Sequence, residues 1–414
     1  MSAATLARAY KVLDDVLRRG SYISDRLTRA LSADDCDRAF LTEIVYGTME
    51  RLVTVDAVIN VLLTKQPKPA VLSLLRMGVY LMRYSHMPDY AVCNECVSLA
   101  REIGKKELTG FVNAVIKKSK AVVLPDAETE EERLSVTHSY PLWLVKRLVQ
   151  AYGFEKAEEI IRIRERQFAH FRVSTAHKSF LEVKKRFEKR GVTVVPSTAE
   201  NCFYADYQRV ISADVPSCYY VKQSLGSVKI VNLFPDGDYK RRLGACAAPG
   251  GKSALLAERF PDAEVVSCEV YAHRVDSIKE YADRLELKNV HPMHHDSTET
   301  VPDWIDAFDC VLVDAPCSGL GVVSGKPEIL YQRKPQDIPS LVKLQQSLLS
   351  ANASYVKKGG YLVYSTCTIL PEENEEQVRL FLETHPEFHQ ENSFLFLPDT
   401  DGEGFFGALL RRNA

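Results

Sequence analysis

The 414-residue sequence contains no run of about 18 apolar residues, so it predicts no helix that crosses a bilayer. The N-terminal stretch alternates charged and apolar side chains from Arg8 onward, which is not the pattern of a secretory signal peptide. No internal repeat is evident. The ten cysteines lack the spacing of a disulfide framework, and this usage is typical of a reducing cytosol. We therefore expect a soluble, cytoplasmic protein.

The composition excludes low-complexity and wholly disordered chains. Hydrophobic residues make up 46% of the sequence and charged residues 26%, which is enough apolar material for packed cores. At roughly 100–200 residues per domain, the length predicts two to four domains.

The formal net charge of −2 hides an uneven distribution of charge. Residues 1–120 hold 18 Lys and Arg against 13 Asp and Glu, and residues 133–240 hold 18 against 11. Residues 121–132 carry five acids and no base, and residues 241–414 hold 26 acids against 17 bases. The two basic segments favour an anionic partner. Random scatter explains shifts of this size equally well, so both interpretations stay open.

Changes of pattern along the chain predict its domain organisation. Residues 4–120 show apolar spacings of three to four throughout, which predicts helices with breaks at Gly20, residues 32–37 and residues 65–69. The predicted domains are a helical domain at 1–122, an acidic linker at 123–140, a small α+β unit at 141–237 and an α/β domain at 238–414. Within the α+β unit we expect helices at 141–152, 155–167 and 178–190 and strands at 171–174, 192–195 and 202–205.

The C-terminal part alternates short apolar strands with helices. The predicted strands are Leu243–Ala247, Glu264–Glu269, Phe308–Asp314 and Gly360–Ser365, and the predicted helices are 252–260, 272–286, 337–357 and 374–385. Such alternation favours a parallel, doubly wound sheet.

A glycine-rich turn after the first of these strands predicts a nucleoside site. Residues 244–253 join a strand to a helix whose N-terminal N–H groups are unpaired, and Glu269 ends the next strand, where an acid bonds a ribose in Rossmann-like sites. Gly251, Lys252 and Ser253 resemble the end of a P-loop, but Cys246 stands where its first glycine belongs. A ligand without phosphates fits better, and S-adenosylmethionine is the commonest one for this topology. Asp296, after the third strand, is a candidate for bonding the adenine; an ordinary loop aspartate is the alternative.

Cys317 and Cys367 each follow a predicted strand, at the edge where open α/β sheets bind ligands. We expect both thiols to face one crevice and loop N–H groups to lower a thiol pKa there. Free cysteines are more commonly buried and pack as small hydrophobic residues. We assign this role to Cys202, Cys218, Cys268 and Cys310. Cys93 and Cys96 form a single CxxC motif, and the second pair of ligands that a zinc site needs is missing. We therefore expect no metal.

Three motifs carry a resemblance to a known family. Residues 246–252 (CAAPGGK), 314–319 (DAPCSG) and 365–367 (STC) resemble the Sun/Fmu family of RNA cytosine-C5 methyltransferases. The N-terminal part resembles NusB, an RNA-binding helical domain, at residues 39–40, 45–47, 88, 94–95 and 110–114. The resemblance implies an all-α NusB-like domain, a small α+β RNA-binding unit and an α/β Rossmann-like methyltransferase domain, as in the bacterial enzyme for small-subunit ribosomal RNA.

The family pattern implies a role for each matching residue. Cys367 would attack carbon 6 of cytosine, Cys317 would assist release, Asp314 would hold the polar edge of the base, and Lys252 would lie near base and cofactor. The residues expected to bind S-adenosylmethionine are Cys246, Ala247, Ala248, Pro249, Gly250, Gly251, Lys252, Glu269, Arg274, Asp296 and Asp314. The candidate phosphate contacts are Arg172, Lys184, Lys185 and Arg186, although a solvated helix face explains the last three equally well. The expected substrate is single-stranded or loop RNA of the 16S type, and we expect a monomer.

The sequence departs from the family pattern at a few positions, namely Ser174, Ser224, Gly244, Ser324 and Gly325. No reacting group is removed, so we expect activity. A non-catalytic RNA-binding scaffold, a methyltransferase acting on tRNA and a P-loop-like NTPase remain the alternatives. A DNA cytosine methyltransferase is less favoured, because those enzymes use the thiol of the DAPC motif and lack the second one.

Overall fold

The structure, a computed structural model, describes residues 3–32, 36–162, 168–399 and 402–414. These residues fall into two units. The first unit holds the described residues up to Arg162 and the segment Val323–Pro335, and the second unit holds the others.

The first unit is helical, as the spacing of apolar residues predicts. Its helices are α1 (Ala3–Arg19), α2 (Ile23–Leu31), α3 (Arg38–Glu50), α4 (Leu52–Leu62), α5 (Pro69–Tyr84), α6 (Asp89–Glu102), α7 (Thr109–Ser119), α8 (Glu130–His138), α9 (Leu142–Tyr152) and α10 (Phe154–Arg162). Helix α5 is central, because it packs against α1, α3, α4, α6 and α7. Its Leu74, Leu75 and Met77 have no exposed surface. The predicted breaks between α1 and α2, α2 and α3, and α4 and α5 are confirmed.

The unit boundary differs from the predicted one. The stretch 123–140, expected to be a linker, contains α8, which packs against α4 and α9. Its three acids Glu130, Glu131 and Glu132 form the first turn of α8, where negative charge favours the helix dipole. Helices α9 and α10 belong to the helical unit rather than to the α+β unit, because their apolar faces pack on one another and on α8. The predicted end of α10, at residues 163–167, lies outside the described residues.

A small antiparallel sheet opens the second unit. Its strands are β1 (Ala169–Val173), β2 (Val195–Pro196), β3 (Cys202–Ala205) and β4 (Tyr220–Lys222), in the order β2-β3-β1-β4. Helices α11 (Phe180–Glu188) and α12 (Tyr207–Ile211) accompany it. Phe171 and Phe203 stack at 5.4 Å, and Phe187 covers them. The predicted strand at 192–195 is wrong for its first three residues, since only Val195 pairs with β3.

The second sheet has seven strands, in the order β10-β11-β9-β8-β5-β6-β7. Its strands are β5 (Arg241–Ala245), β6 (Glu264–Glu269), β7 (Val290–His294), β8 (Phe308–Asp314), β9 (Val356–Thr366), β10 (Phe388–Phe396) and β11 (Phe405–Arg412). The helices in this part of the chain are α13 (Leu225–Val231), α14 (Gly251–Arg259), α15 (Ala272–Arg284), α16 (Ile329–Gln332), α17 (Ile338–Ala353) and α18 (Glu375–Thr384), with α16 in the segment that joins the first unit.

Five of these strands, β5 to β9, are parallel, which confirms the predicted doubly wound sheet. The chain runs from β5 outward through β6 to β7 and then returns to β8 and β9 on the other side. The strand order therefore reverses beside β5, and ligands of such sheets bind outside the carboxyl ends of the strands at this point. The antiparallel hairpin β10–β11 on the edge next to β9 was not predicted. In the part of the chain that the structure describes, no helix has the length and apolarity to cross a membrane.

Candidate active site

Cys317 and Cys367 meet at the carboxyl edge of the large sheet. Cys317 follows β8 and Cys367 follows β9, and these two strands are parallel neighbours. The two Sγ atoms are 3.3 Å apart, and the backbone N–H of Cys367 points at the Sγ of Cys317 from 3.3 Å. The structure therefore brings together the two thiols that the sequence predicted to share one crevice.

The two thiols differ in exposure. Cys317 is 9% exposed, whereas Cys367 is half-buried and thus the more accessible sulfur. The hydrogen bond with the Cys367 side chain and burial raise the pKa of Cys317 well above its ordinary value. The backbone N–H of Cys367 acts in the opposite direction but is outweighed. The expectation that loop N–H groups lower a thiol pKa is therefore wrong for Cys317, which stays protonated at neutral pH.

A buried carboxylate holds the loop of Cys317. The backbone N–H of Ser318 donates to both oxygens of Glu373, at 2.8 and 3.2 Å, and the Glu373 side chain has no exposed surface. Burial raises the pKa of Glu373. The Ser318 hydroxyl lies 2.7 Å from the Thr368 hydroxyl, which ties this loop to the one that follows Cys367. Sequence reasoning missed Glu373; its position just after the STC motif was the available signal.

Gly321 locks the same two loops through the backbone. Its N–H donates to the Cys367 carbonyl at 3.0 Å, and its carbonyl accepts from Gly404 N at 2.8 Å. A Cβ at position 321 would lie 2.2 Å from the Gly404 carbonyl oxygen, so only glycine fits there. Both cysteines thus lie on loops whose backbone positions are fixed.

Asp314 and Lys252 form an ion pair beside the thiols. Lys252 Nζ lies 2.7 Å from Asp314 Oδ2, and the Ser365 hydroxyl donates to Asp314 Oδ1 at 2.8 Å. Asp314 ends β8, and Lys252 lies in the first turn of α14. The pair therefore links the glycine-rich turn to the strand that carries Cys317.

The glycine-rich turn wraps closely onto the sheet and α15. Cys246 and Gly250 have left-handed backbones, with φ of 56° and 110°, and the N–H of Ala247 donates to the Cys268 carbonyl at 2.9 Å. A Cβ at position 250 would come within 3.3 Å of the Ile278 Cα. The turn continues through Ala248, Pro249 and Gly251 into α14. Burial raises the pKa of Cys246 to about 12, so this residue stays a thiol.

Glu269 offers an unused buried acceptor next to this turn. It is 2% exposed, and its Oε1 accepts from the N–H groups of Val270 and Tyr271. Among the described residues, its Oε2 has no hydrogen-bond partner. Arg274 Nη1 lies 3.4 Å from each oxygen of this carboxylate, Oε2 included, and Arg274 Nη2 lies 3.4 Å from the Ala248 carbonyl oxygen. A buried oxygen that accepts no hydrogen bond and has only this long ion-pair contact can accept from the hydroxyl of a bound ligand.

Asp296 lies close to Glu269 because the His295 N–H donates to the Glu269 carbonyl at 3.1 Å. The carboxylate of Asp296 accepts from the N–H and the hydroxyl of Thr298, at 2.9 and 2.7 Å, and these bonds lower its pKa. Asp296 is therefore ionised at neutral pH and held in place by its own loop.

Comparisons with known proteins agree with this arrangement. Residues 231–410 match the family 16S rRNA methyltransferase RsmB/F, and residues 4–120 match the NusB family. The probable ribosomal RNA small subunit methyltransferase B of Bacillus subtilis is 35% identical over 87% of this chain and 83% of its own length. The chain belongs to the RsmB/F family of 16S ribosomal RNA methyltransferases.

Two further similarities extend over nearly the whole chain. The ribosomal RNA small subunit methyltransferase B of Serratia proteamaculans is 30% identical over 96% of both chains. The crystal structure of PH0851 has a TM-score of 0.86 and 24% identity, and the match covers 98% of this chain and 99% of that one. The second similarity shows the fold alone.

Arg172 is not available for the phosphate contact that the sequence predicted. It is 1% exposed, forms a buried ion pair with Glu258 of α14 and donates from Nε to Gln223 at 2.9 Å. Ser174, which departs from the RsmB/F pattern, donates to the other oxygen of Glu258 at 2.9 Å. Arg172 therefore fastens the small sheet to the methyltransferase domain.

The other three predicted phosphate contacts lie on α11. Lys185 is exposed, Lys184 is partly exposed and 3.7 Å from Glu188, and Arg186 stacks 5.2 Å from the ring of Tyr219. Their contact with RNA stays a prediction.

Four other residues, Gly244, Ser224, Ser324 and Gly325, depart from the family pattern. A Cβ at Gly244 would meet Ser253 Oγ and Ala247 Cβ at ordinary contact distances of 3.5 and 3.6 Å, so the glycine is not sterically required. Ser224 precedes α13 without capping it through its side chain. Ser324 and Gly325 lie in the segment Val323–Pro335 of the first unit. In that segment Glu328 is buried and accepts from the Ile23 N–H at 3.0 Å.

Proposed function

We propose that this chain methylates carbon 5 of a cytosine in small-subunit ribosomal RNA through a covalent bond between Cys367 and carbon 6 of the ring. The observation that carries the proposal is the 3.3 Å separation of the Cys317 and Cys367 sulfur atoms at the carboxyl edge of the sheet. Carbon 5 of cytosine is a poor nucleophile, and a thiolate that adds to carbon 6 makes it an enamine carbon. The family supplies the class of RNA.

S-adenosyl-L-methionine is the cofactor, and when bound it supplies a methyl group on a sulfonium, which the enamine carbon can attack. The residues that would hold it fit such a ligand. Glu269 offers a buried acceptor for a ribose hydroxyl, and Gly250 allows close approach of the backbone. We assign the contact with the adenine to Asp296. We assign the remaining cofactor contacts to the glycine-rich turn, Arg274, Lys252 and Asp314.

Each thiol has a separate task in this mechanism. Cys367, the more accessible sulfur, forms the bond to carbon 6 as a thiolate. Asp314 accepts a hydrogen bond from the polar edge of the base, and Lys252 holds the Asp314 carboxylate in position. After methyl transfer, a base removes the proton from carbon 5, the ring double bond re-forms and the carbon–sulfur bond breaks. Cys317 keeps its proton because its pKa is raised, so its S–H can donate a hydrogen bond that stabilises the departing thiolate of Cys367.

The target cytosine must leave its stack before a thiol can reach carbon 6, which favours single-stranded or loop RNA. We assign phosphate binding to Lys184, Lys185 and Arg186. Replacing all three by Gln should flatten the dependence of log affinity on log salt by roughly 0.7 for each cation removed from the RNA. An unchanged slope in an anisotropy titration would show that these side chains form a solvated face only.

We infer a cytoplasmic enzyme, since its substrate is ribosomal RNA.

The Cys317→Ala variant tests the covalent mechanism. Incubated with 16S RNA and S-adenosylmethionine, it should accumulate a protein–RNA adduct that survives denaturing electrophoresis, because release is impaired after Cys367 has attacked. The double variant Cys317→Ala/Cys367→Ala should form no adduct. Cys36→Ala, which changes a half-buried cysteine of the helical unit, is the matched control and should turn over normally.

Two results would overturn the proposal. An adduct that persists in the double variant would assign the attack to another residue. Methylation of tRNA in preference to 16S RNA, or at an atom other than carbon 5, would reject the substrate; mass spectrometry of nuclease-digested RNA distinguishes these products.

A further inference from the structure

We propose a second functional centre in the second unit: a zinc site formed by His177, Cys218 and Glu286. One ligand atom of each, the imidazole nitrogen, the thiol sulfur and a carboxylate oxygen, lies within 4.8 Å of the other two. Within residues 3–32, 36–162, 168–399 and 402–414 this is the one group of three or more His, Cys, Asp or Glu side chains that converges in this way. The methyl-transfer reaction uses none of the three.

The three residues come from separate parts of the fold. His177 follows β1, Cys218 precedes β4, and Glu286 follows α15. The first two therefore belong to the small sheet and the third to the methyltransferase domain. Only the tertiary structure brings them together, and their spacing in the sequence matches no metal-binding motif.

A hydrogen bond fixes which nitrogen of His177 faces the other two residues. His177 Nε2 lies 2.8 Å from the carbonyl oxygen of Leu285, which can only accept, so Nε2 carries the proton. The other nitrogen, Nδ1, then presents its lone pair, and it lies 3.8 Å from Glu286 Oε2. A metal-bound histidine commonly donates its second N–H to a backbone carbonyl in this way.

The loop that carries Cys218 is held from both sides. Arg284 of α15 donates to the Ser217 and Tyr220 carbonyls, and the N–H of Ser174 donates to the Tyr219 carbonyl at 2.9 Å. These bonds fix the backbone on each side of Cys218. The thiol is therefore positioned by the fold. Cys218 is only half-buried, so the expectation that it is a buried small hydrophobic residue is wrong.

Glu286 has a left-handed backbone conformation, which glycine adopts more readily than glutamate. Its φ is 56°, at the position just past the C-terminus of α15 where glycine is preferred. The carboxylate is 70% exposed and can move the short distance that a metal requires.

The donor set selects the metal. Thiolate, imidazole and carboxylate together suit Zn²⁺, whereas Mg²⁺ and Ca²⁺ prefer oxygen ligands alone. Ligand atoms around tetrahedral zinc are about 3.3–3.6 Å apart, as follows from its bond lengths. The Nδ1–Oε2 distance of 3.8 Å is close to this, so small side-chain movements complete the set and water fills the fourth position. Such a site would fasten the small sheet to α15, next to Tyr219, on which Arg186 stacks.

Metal titration of the EDTA-treated, full-length protein tests the site. Co²⁺ should produce a thiolate-to-metal absorption band in the near ultraviolet, and Zn²⁺ should abolish it at one equivalent per chain. Cys218→Ser should remove the band, and His177→Gln should weaken Zn²⁺ binding by more than the roughly 10–100-fold that loss of an outer-shell partner costs. Zn²⁺ should raise the melting temperature of the wild type and leave that of Cys218→Ser unchanged.

Two controls exclude other thiols. Cys93→Ser removes a half-buried cysteine of the helical unit and should keep the band. The variant Cys317→Ser/Cys367→Ser should also keep it, since two close sulfur atoms are the rival place for the metal. A band that survives Cys218→Ser, a band abolished in the thiol-pair variant, or no band in the wild type at excess Co²⁺ would each overturn the assignment.

Discussion

Cys317 and Cys367 are separated by 50 positions in the sequence, yet their Sγ atoms are 3.3 Å apart at the ends of two neighbouring parallel strands. Parallel strands place their carboxyl ends at the same edge of a sheet, so the strand order brings the two thiols together. The pair is asymmetric, because Cys317 is the more buried sulfur and its pKa is raised.

This asymmetry predicts the order in which the two thiols react. Iodoacetamide should modify Cys367 before Cys317 at neutral pH, because Cys367 is more accessible and the thiolate is the reacting form. Timed quenching followed by peptide mass spectrometry measures the two rates. Cys96, fully buried with a pKa raised to about 12, is the unreactive reference. Faster modification of Cys317 would contradict the assignment of the two roles.

Glu269 Oε2, which accepts no hydrogen bond among the described residues, predicts a loss of cofactor affinity on substitution. Glu269→Ala should raise the Kd for S-adenosylmethionine by roughly 10–100-fold, because a hydrogen bond to a charged group contributes about 1.5–3 kcal/mol. Isothermal titration calorimetry measures the change. Glu264→Gln, at the exposed start of the same strand, is the matched control and should bind like the wild type. Equal affinities in both variants would remove Glu269 from the cofactor site.

The buried carboxyl of Glu373 predicts a specific dependence of stability on pH. Its folded-state pKa is raised above the ordinary value of 4.5, so its contribution to stability is fully present below 4.5 and is lost as pH rises through the raised pKa. Glu373→Gln should remove this part of the pH dependence, so the free energy of unfolding of the wild type, relative to the variant, should fall with rising pH. Urea titrations at several pH values measure the difference.

A second variant separates the charge of Glu373 from its hydrogen bonds. Glu373→Ala should lower the free energy of unfolding by about 1–3 kcal/mol, because the Ser318 N–H is left buried without an acceptor. Glu376→Gln, which changes an exposed residue one turn further along, should change neither the free energy of unfolding nor its dependence on pH. A Glu373→Ala variant as stable as the wild type would show that the loop of Cys317 is held by other interactions.

The buried ion pair of Arg172 and Glu258 predicts a stability defect rather than an RNA-binding defect. Arg172→Met should lower the free energy of unfolding by about 3–5 kcal/mol, because it leaves an uncompensated buried charge. Arg172→Met/Glu258→Met should recover much of that loss. Denaturant unfolding and RNA anisotropy are measured on the same samples. Unchanged stability with weakened RNA binding would restore the phosphate contact that the sequence predicted.

Local pattern accounts for most of what could be predicted. The strands β6 and β8 have the predicted bounds, because a buried parallel strand is a short apolar run that ends abruptly in polar or turn residues. The edge hairpin β10–β11 was missed because its strands lack that signature: β10 is mostly exposed. The linker at 123–140 was placed on acidic composition, whereas packing of α8, α9 and α10 extends the helical unit to Arg162.

The sequence by itself determined most of the element types, the positions of Cys317 and Cys367 at the ends of two strands, and the family, because all of these depend on residues close together in the chain. Only the tertiary structure decided what each charge or thiol faces. It showed that Arg172 forms a buried ion pair with Glu258 and that Glu373 binds the backbone of the Cys317 loop. It also showed that His177, Cys218 and Glu286 converge. These relationships join residues from separate elements, and packing of those elements sets the distances between them.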